Sequence, residues 1–186
     1  MVEMDRSLVM FERILIAVPM EQYPDMAISR ARELIDRWDP EIAVSYVLED
    51  NIFNVVADKS QYMVTGTEEE EWVKKMIDYH TERAREVVLK DAEKAFGKAV
   101  DYFGVVRGMY SDVIREEVER LKCDLILVER FPRSFIRLRI LDSSPVPIWV
   151  VRNNQPVKSI GLFCTNVNPN VKAPAVAREI AAKFNA

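Results

Sequence analysis

The chain has 186 residues, of which 49% are hydrophobic, and a formal net charge of −4. This size allows one sizeable hydrophobic core with an appendage, and the negative charge argues against general nucleic-acid binding. No run approaches the ~20 apolar residues of a membrane-spanning helix, and the N-terminus lacks the features of a signal peptide, so we expect a soluble, cytoplasmic protein with no membrane insertion.

Strand and helix patterns alternate along the first half of the chain. Ile14–Val18 is a continuous apolar run, which is typical of a parallel strand covered on both faces. Ile42–Leu48 predicts a second strand of the same kind. Between them, apolar residues recur at helical spacing and predict an amphipathic helix: Ala27, Ala31, Leu34 and Trp38. Asn51–Gly66 shows no clean period and is interpreted as a long excursion.

A long helix is predicted after this excursion. Thr67 and Glu70 form a capping-box pattern at its start, and Gly97 is a natural stop. Its predicted apolar stripe consists of Val73, Ile77, Ala84, Val88 and Ala95.

The second half of the chain continues the alternation. Strands are predicted at Val100–Val106, Leu125–Val128 and Ile148–Val151. A helix capped by Ser111 or Asp112 is predicted between the first two. Five parallel strands with intervening helices predict a doubly wound α/β fold, a five-stranded parallel sheet with helices on both faces, over residues 12–152.

The C-terminal segment Ser159–Ala186 repeats the opening of this module. A shift of 146 positions places Ile14 on Ile160, Ala31-Arg32-Glu33-Leu34 on Ala177-Arg178-Glu179-Ile180, and Trp38 on Phe184. Such a repeat indicates a second copy of one structural unit. We therefore expect residues 159–186 to form a partial second repeat, a C-terminal β-α appendage packed on the module or its dimer mate. Residues 1–11 are expected to form an N-terminal extension.

Charge is unevenly distributed between this tail and the rest of the chain. From residue 152 onward there are five basic residues and one acid, so the tail carries +4 and the remainder −8. We therefore expect the basic residues of the tail to lie near acidic surface.

Several short matches, in the right order, resemble the universal stress protein family. They are Glu12–Val18, Gly108 leading into the helix around Ile114, Cys123–Val128 and Val146–Val151. The resemblance implies an adenine nucleotide alpha hydrolase-like fold, a homodimer paired through the last strand and, in one branch, ATP at the ends of the parallel strands. Tandem copies are common in that family, which fits a truncated second module.

The sequence departs from the ATP-binding branch of that family. The resemblance implies an acid just after the first strand, where this chain has Pro19, and a glycine-rich phosphate loop after the fourth. Glu129–Ser134 contains no glycine, so the chain resembles a branch lacking the phosphate loop, and a carboxylate at Glu129 would also repel phosphate. We therefore expect no cofactor and disfavour ATP. If a nucleotide binds, we expect contacts from four residues at the strand ends: Val18, Pro19, Val47 and Arg130.

An arginine-rich segment stands in place of that loop. It is a candidate partner-binding surface made of Arg130, Arg133, Arg137, Arg139, Phe131 and Phe135. Its arginines can bind an anion, a phosphorylated partner or an acidic protein surface. Alternatively, the segment is a short capping helix whose arginines are solvated or pair with acids of the module.

No sequence pattern in the chain indicates catalysis or metal binding. His80, the only histidine, falls on an apolar stripe and is interpreted as a core or interface residue. Cys123 and Cys164 are expected to be reduced and structural. No Rossmann fingerprint, P-loop, nucleophile elbow or metal-ligand spacing is present, so we predict no catalytic residue, no metal and no enzyme.

Three hypotheses about function follow. The first is a non-catalytic regulatory or scaffold protein of the universal stress type, acting through dimerisation at Ile148, Trp149, Val150 and Val151 and through partner binding. The second is a nucleotide-binding stress protein with a degenerate site. The third is a cytosolic regulatory module associated with a membrane transporter.

Overall fold

The fold is described from a computed structural model of the chain, over residues 11–50, 66–130, 144–161 and 173–186. Five strands form one parallel sheet: β1 Arg13–Pro19, β2 Glu41–Glu49, β3 Tyr102–Gly108, β4 Leu125–Glu129 and β5 Ile148–Val151. Their order across the sheet is β3-β2-β1-β4-β5. The predicted doubly wound five-stranded sheet is therefore present, and the strand order reverses between β1 and β4.

The helices and the sheet enclose two layers of apolar side chains. The helices are α1 Asp25–Trp38, α2 Gly66–Arg83, α3 Lys90–Phe96, α4 Tyr110–Leu121 and α5 Ala173–Phe184. Alternate residues of β1 point to opposite faces: Ile14 and Ile16 pack in the layer with α1, and Leu15 and Ala17 in the layer with α4. This alternation explains why the central strands are continuous apolar runs.

Helices α2 and α3 are joined by a π-helical stretch, Ala84–Leu89. The buried residues of the second half of this long helix are Ala84, Val88, Ala92 and Phe96, whereas Ala95 is exposed. The predicted stripe was therefore wrong at Ala95, because the wider π-helical turns shift the buried face by one residue. Gly97 ends the helix with φ 67°, as predicted.

The start of α4 differs from the sequence prediction. Met109 precedes the helix and provides no side-chain cap, and Ser111 and Asp112 lie inside the first turn. Asp112 instead accepts a hydrogen bond from Arg115 (Nη2···Oδ1 3.4 Å). An acid in the first turn still favours the helix through the macrodipole, which is why this position resembled a cap in the sequence.

The C-terminal helix α5 packs on the module, against the end of α1 and the aromatic ring of Trp149. Its Phe184 is 8% exposed, and its ring centroid lies 5.9 Å from that of Trp38 and 5.8 Å from that of Trp149. No strand is present at 159–161, and the rest of the predicted second-repeat strand lies outside the described residues. Lys183 donates to the Arg37 carbonyl and lies over the Trp38 ring. That the basic residues of the tail lie near acidic surface stays a prediction, and Lys172 lies outside the described residues.

Candidate functional site

The carboxyl ends of β1, β2 and β4 meet at the point where the strand order reverses. Pro19 is the register partner of Val47, and the Met20 N–H donates to the Val47 carbonyl at 3.1 Å. Val18, Pro19 and Val47 are buried. In open α/β sheets, this edge is the usual place for a ligand.

One acidic side chain, from the last residue of β4, lies at this edge. Glu129 is 6% exposed, and its Oε2 accepts hydrogen bonds from the backbone N–H groups of Met26 (3.0 Å) and Ala27 (3.2 Å). Its Oε1 accepts a third hydrogen bond, from the Gln22 amide, at 2.8 Å. The carboxylate therefore makes three polar contacts at the entrance of α1.

This arrangement is a helix cap supplied from a distant strand. The residue before α1 is Pro24, which forms no side-chain cap of its own. Met26 and Ala27 are the second and third residues of α1, the positions whose N–H groups an N-cap side chain normally satisfies. The positive end of the helix dipole also favours a carboxylate there. Glu129 thus occupies the anion site that a helix N-terminus offers at this edge.

The sequence prediction recognised only part of this role. It treated the carboxylate at Glu129 as unfavourable for phosphate but did not connect it to α1. Two sequence features together could have indicated the connection: an acid directly after a buried strand, and a helix whose preceding residue is proline and provides no side-chain acceptor.

The arginine-rich segment lies mostly outside the described residues. Arg130 directly follows β4, is exposed, and donates its backbone N–H to the Val151 carbonyl at 2.9 Å. The remaining residues of this candidate surface, Phe131, Arg133, Phe135, Arg137 and Arg139, lie in the part of the chain that the structure does not describe. Their partner-binding role therefore stays a prediction.

Strand β5 forms one edge of the sheet. Val150 is 37% exposed, whereas Val151 is buried. The Pro147 carbonyl accepts a hydrogen bond from Ile126 of β4 at 3.0 Å, and the Val151 carbonyl accepts one from Arg130, directly after β4, at 2.9 Å. Because the N–H and C=O of one residue in a parallel strand point to the same side, the backbone groups of Ile148 and Val150 point away from β4. The outer edge of β5 thus presents the backbone groups that another strand would bind.

A groove of about 570 Å³ lies beside this edge, between β5 and the segment 152–159. The described residues that line it include the cations Arg30, Arg152 and Lys158 and no acid. Arg30 is 4% exposed, donates to the Gln155 carbonyl at 2.8 Å and to Glu33 at 2.7 Å, and lies over the Trp149 ring. These contacts hold the segment after β5 against α1, and this position of the segment forms the groove.

A second buried carboxylate lies on the opposite face of the sheet. Glu117 is 6% exposed and accepts two hydrogen bonds from Arg120 (2.9 and 2.8 Å) and one from the Ser45 hydroxyl (2.9 Å). Burial raises its pKa, but these hydrogen bonds outweigh burial and hold the pKa below its ordinary value. Ser45 and Glu117 are buried and Arg120, which is half exposed, directs its guanidinium to Glu117, an arrangement typical of a structural network.

Cys123 and His80 were the remaining residues considered in the sequence, and the structure gives the surroundings of both. Burial raises the pKa of the Cys123 thiol to about 12, so this cysteine is unreactive. Burial and the nearby Arg83 lower the pKa of His80, which packs edge-on against the Tyr79 ring. Within the described ranges, no cluster of three or more histidine, cysteine or acidic side chains could hold a metal, and no helix has the length and apolarity to cross a membrane.

Comparison with known proteins agrees with this geometry. The universal stress protein UspA from Lactobacillus plantarum is 13% identical, with a TM-score of 0.56 over 76% of this chain and 98% of its own. A universal stress protein from Burkholderia pseudomallei is 19% identical, with a TM-score of 0.55 over 76% and 96%. A family protein from Arabidopsis thaliana, solved with AMP bound, is 15% identical, with a TM-score of 0.50 over 76% and 92%.

These likenesses establish the fold, and the sequence itself establishes the family. No curated protein sequence matches the chain. The sequence model of the universal stress protein family, however, matches residues 10–152, which include all five strands of the sheet. Because this match covers most of its length, the chain belongs to the universal stress protein family.

Proposed function

We propose that this chain is a non-catalytic regulatory or scaffold protein that acts as a homodimer and binds a protein partner without requiring a nucleotide. The observation that carries the proposal is the buried Glu129 carboxylate at the N-terminus of α1. A protein that bound phosphate at this edge would keep those N–H groups available for the ligand.

The position of Glu129 disfavours a phosphate ligand in two ways. First, the N–H groups of Met26 and Ala27 already donate to the carboxylate, so an incoming phosphate would have to displace it. Second, two negative charges 4 Å apart repel by about 4 kcal/mol at an effective dielectric constant of 20. The absence of glycine from residues 129–134 removes the flexible backbone that could supply other N–H donors.

The proposed homodimer forms through the outer edge of β5. The exposed Val150 and the outward backbone groups of Ile148 and Val150 suit a second strand. An antiparallel copy of β5 around a twofold axis would satisfy those groups in both chains at once. The same association would bring two basic grooves together beside the new strand pair, where an acidic partner could bind across both chains.

A nucleotide-binding stress protein is the second candidate function. It is favoured by the AMP-bound family structure from Arabidopsis thaliana, whose fold this chain shares. In this alternative, the nucleotide would bind near Val18, Pro19 and Val47, with Arg130 as the nearby cation. Glu129 would have to leave the α1 N-terminus, so binding would loosen the start of that helix.

Isothermal titration with ATP and magnesium distinguishes the two functions. We expect no binding tighter than the millimolar range for the natural chain. Glu129→Gln removes the charge and keeps an oxygen acceptor at the start of α1. This variant therefore tests charge repulsion separately from the occupation of the N–H groups. If the natural chain binds ATP with micromolar affinity, the second candidate replaces the first.

A further inference from the structure

Helices α1 and α5 end in the same way at equivalent positions of the sequence repeat. The shift of 146 residues that aligns their sequences places the last residue of α1, Trp38, on the last residue of α5, Phe184. The next residues are Asp39, with φ 47°, and Asn185, with φ 53°. Both helices therefore end with a left-handed residue at the same place of the repeat.

These two helix ends contact each other reciprocally. The Arg37 side chain donates from Nε to the Lys183 carbonyl at 3.2 Å, and the Lys183 ammonium donates to the Arg37 carbonyl at 3.1 Å. The Arg37 guanidinium lies 4.1 Å from the centre of the Phe184 ring, and the Lys183 ammonium lies 5.7 Å from the centre of the Trp38 ring. Each helix thus places its cation on the aromatic ring of the other.

Exchanging the two helices leaves the kinds of contact unchanged, although the cation-to-ring distances differ (4.1 and 5.7 Å). Arg37 and Lys183 are equivalent in the repeat, as are Trp38 and Phe184, so the contact has the symmetry of a local twofold axis. A twofold contact between equivalent elements requires a surface that is complementary to itself. The end of α1 carries every group that is needed: a cation, an aromatic ring and a backbone carbonyl that accepts a hydrogen bond.

We propose that the C-terminal turn of α1, centred on Arg37 and Trp38, is a self-complementary docking surface for the same turn of a second copy of this chain. In the folded chain, α5 occupies this surface as an internal copy of the partner. Because α5 is tethered, its effective concentration is high, and it blocks association in trans until it is released. The surface is formed by the end of α1 and not by the backbone groups at the outer edge of β5, so it adds an interface to any association made there.

The test is the subunit number of the full chain after α5 is displaced. Replacing Phe184 and Ile180 together with serine removes two of the three α5 side chains that pack in the core layer with α1, Val176 being the third. Sedimentation equilibrium over a range of concentrations should then show twice the subunit number of the natural chain. Ala182→Ser, at an exposed position of the same helix, should leave the subunit number unchanged.

A charge reversal identifies the surface that associates. In the Phe184→Ser, Ile180→Ser background, Arg37→Glu places two carboxylates beside the twofold axis and should restore the natural subunit number. Arg115→Glu makes the same charge change on α4, in the opposite layer, and should not restore it. Amide hydrogen exchange of residues 173–186 reports directly whether α5 has been released.

Three outcomes would overturn the proposal. The first is an unchanged subunit number with α5 unprotected, which shows that the α1 turn does not bind itself. The second is continued protection of α5 after both serine substitutions, which shows that the reciprocal aromatic turn does not hold this helix. The third is association that persists with Arg37→Glu, which places the interaction at another surface.

Discussion

At the scale of single residues, the most consequential side chain is Glu129. It stabilises the fold and disfavours a phosphate ligand through the same contacts, because the N–H groups of Met26 and Ala27 cannot serve both anions. Its effect depends on its position at the end of β4, at the reversal of strand order beside β1. An acid with the same charge at another strand end, without these contacts, would have neither effect.

Removal of this carboxylate should destabilise the protein. Glu129→Ala leaves buried N–H groups at the start of α1 without a partner, so we expect the free energy of unfolding to fall by about 1–2 kcal/mol. Glu129→Gln keeps an oxygen acceptor and should lose less. Urea denaturation at pH 7 measures both values. If the alanine variant is as stable as the natural chain, the capping role is wrong.

Glu117 should make stability depend on pH. Its folded pKa is lowered from an ordinary value of 4.5, so its contribution is complete above that pH and is lost as pH falls through the folded pKa. Glu117→Gln should therefore lower the free energy of unfolding by about 2 kcal/mol at pH 7, and this difference should shrink below about pH 4.5. Denaturation curves at several pH values test this.

A neighbouring acid provides the control for that experiment. Glu119 lies on the same helix but is exposed, so Glu119→Gln removes the same charge without disturbing the buried network. Its stability difference from the natural chain should stay small at every pH. A similar pH dependence in both variants would show that net charge, and not the hydrogen bonds of Glu117, causes the effect.

At the scale of elements, the sequence predicts strands and helices from periodic apolar patterns. It does not predict features that depend on contacts between residues far apart in the chain. All five strands were predicted, and the signal is clearest in the central strands, where burial on both faces demands an apolar run such as Leu125–Val128. The exposed Ala95 was not predicted, because the π-helical stretch before it follows from packing. The distant cap of α1 was missed for a related reason, since Glu129 and Ala27 are 102 residues apart.

Strand β5 is the element on which the proposed homodimer depends. Val150→Pro removes an N–H donor that points away from β4, so the β4–β5 ladder should survive while the outer edge loses a bond. A twofold interface loses this bond twice, so we expect the dimer dissociation constant to rise about tenfold or more. Val150→Thr keeps the donor and should remain dimeric in sedimentation. If Val150→Pro leaves the dimer dissociation constant unchanged, the interface does not lie at the outer edge of β5.

At the scale of the whole molecule, two sides of the sheet differ. A buried carboxylate occupies the carboxyl ends of the strands, where ligands usually bind, whereas the outer side of β5 is partly exposed. Glu129 lies at the carboxyl edge of the sheet, whereas β5 directs the backbone groups of Ile148 and Val150 outward and α5 packs on the end of α1. In the proposed function, the interaction surfaces therefore lie at the side of the molecule and not at the edge where a nucleotide usually binds.

Native mass spectrometry of the freshly purified protein tests this account most directly, because one spectrum reports both subunit number and bound small molecules. We predict two copies of the chain with no nucleotide attached, since the α1 N-terminus is already bound by Glu129 and the β5 edge is available for pairing. A nucleotide retained in stoichiometric amount, or a protein that remains monomeric at the concentrations used for sedimentation, would contradict it.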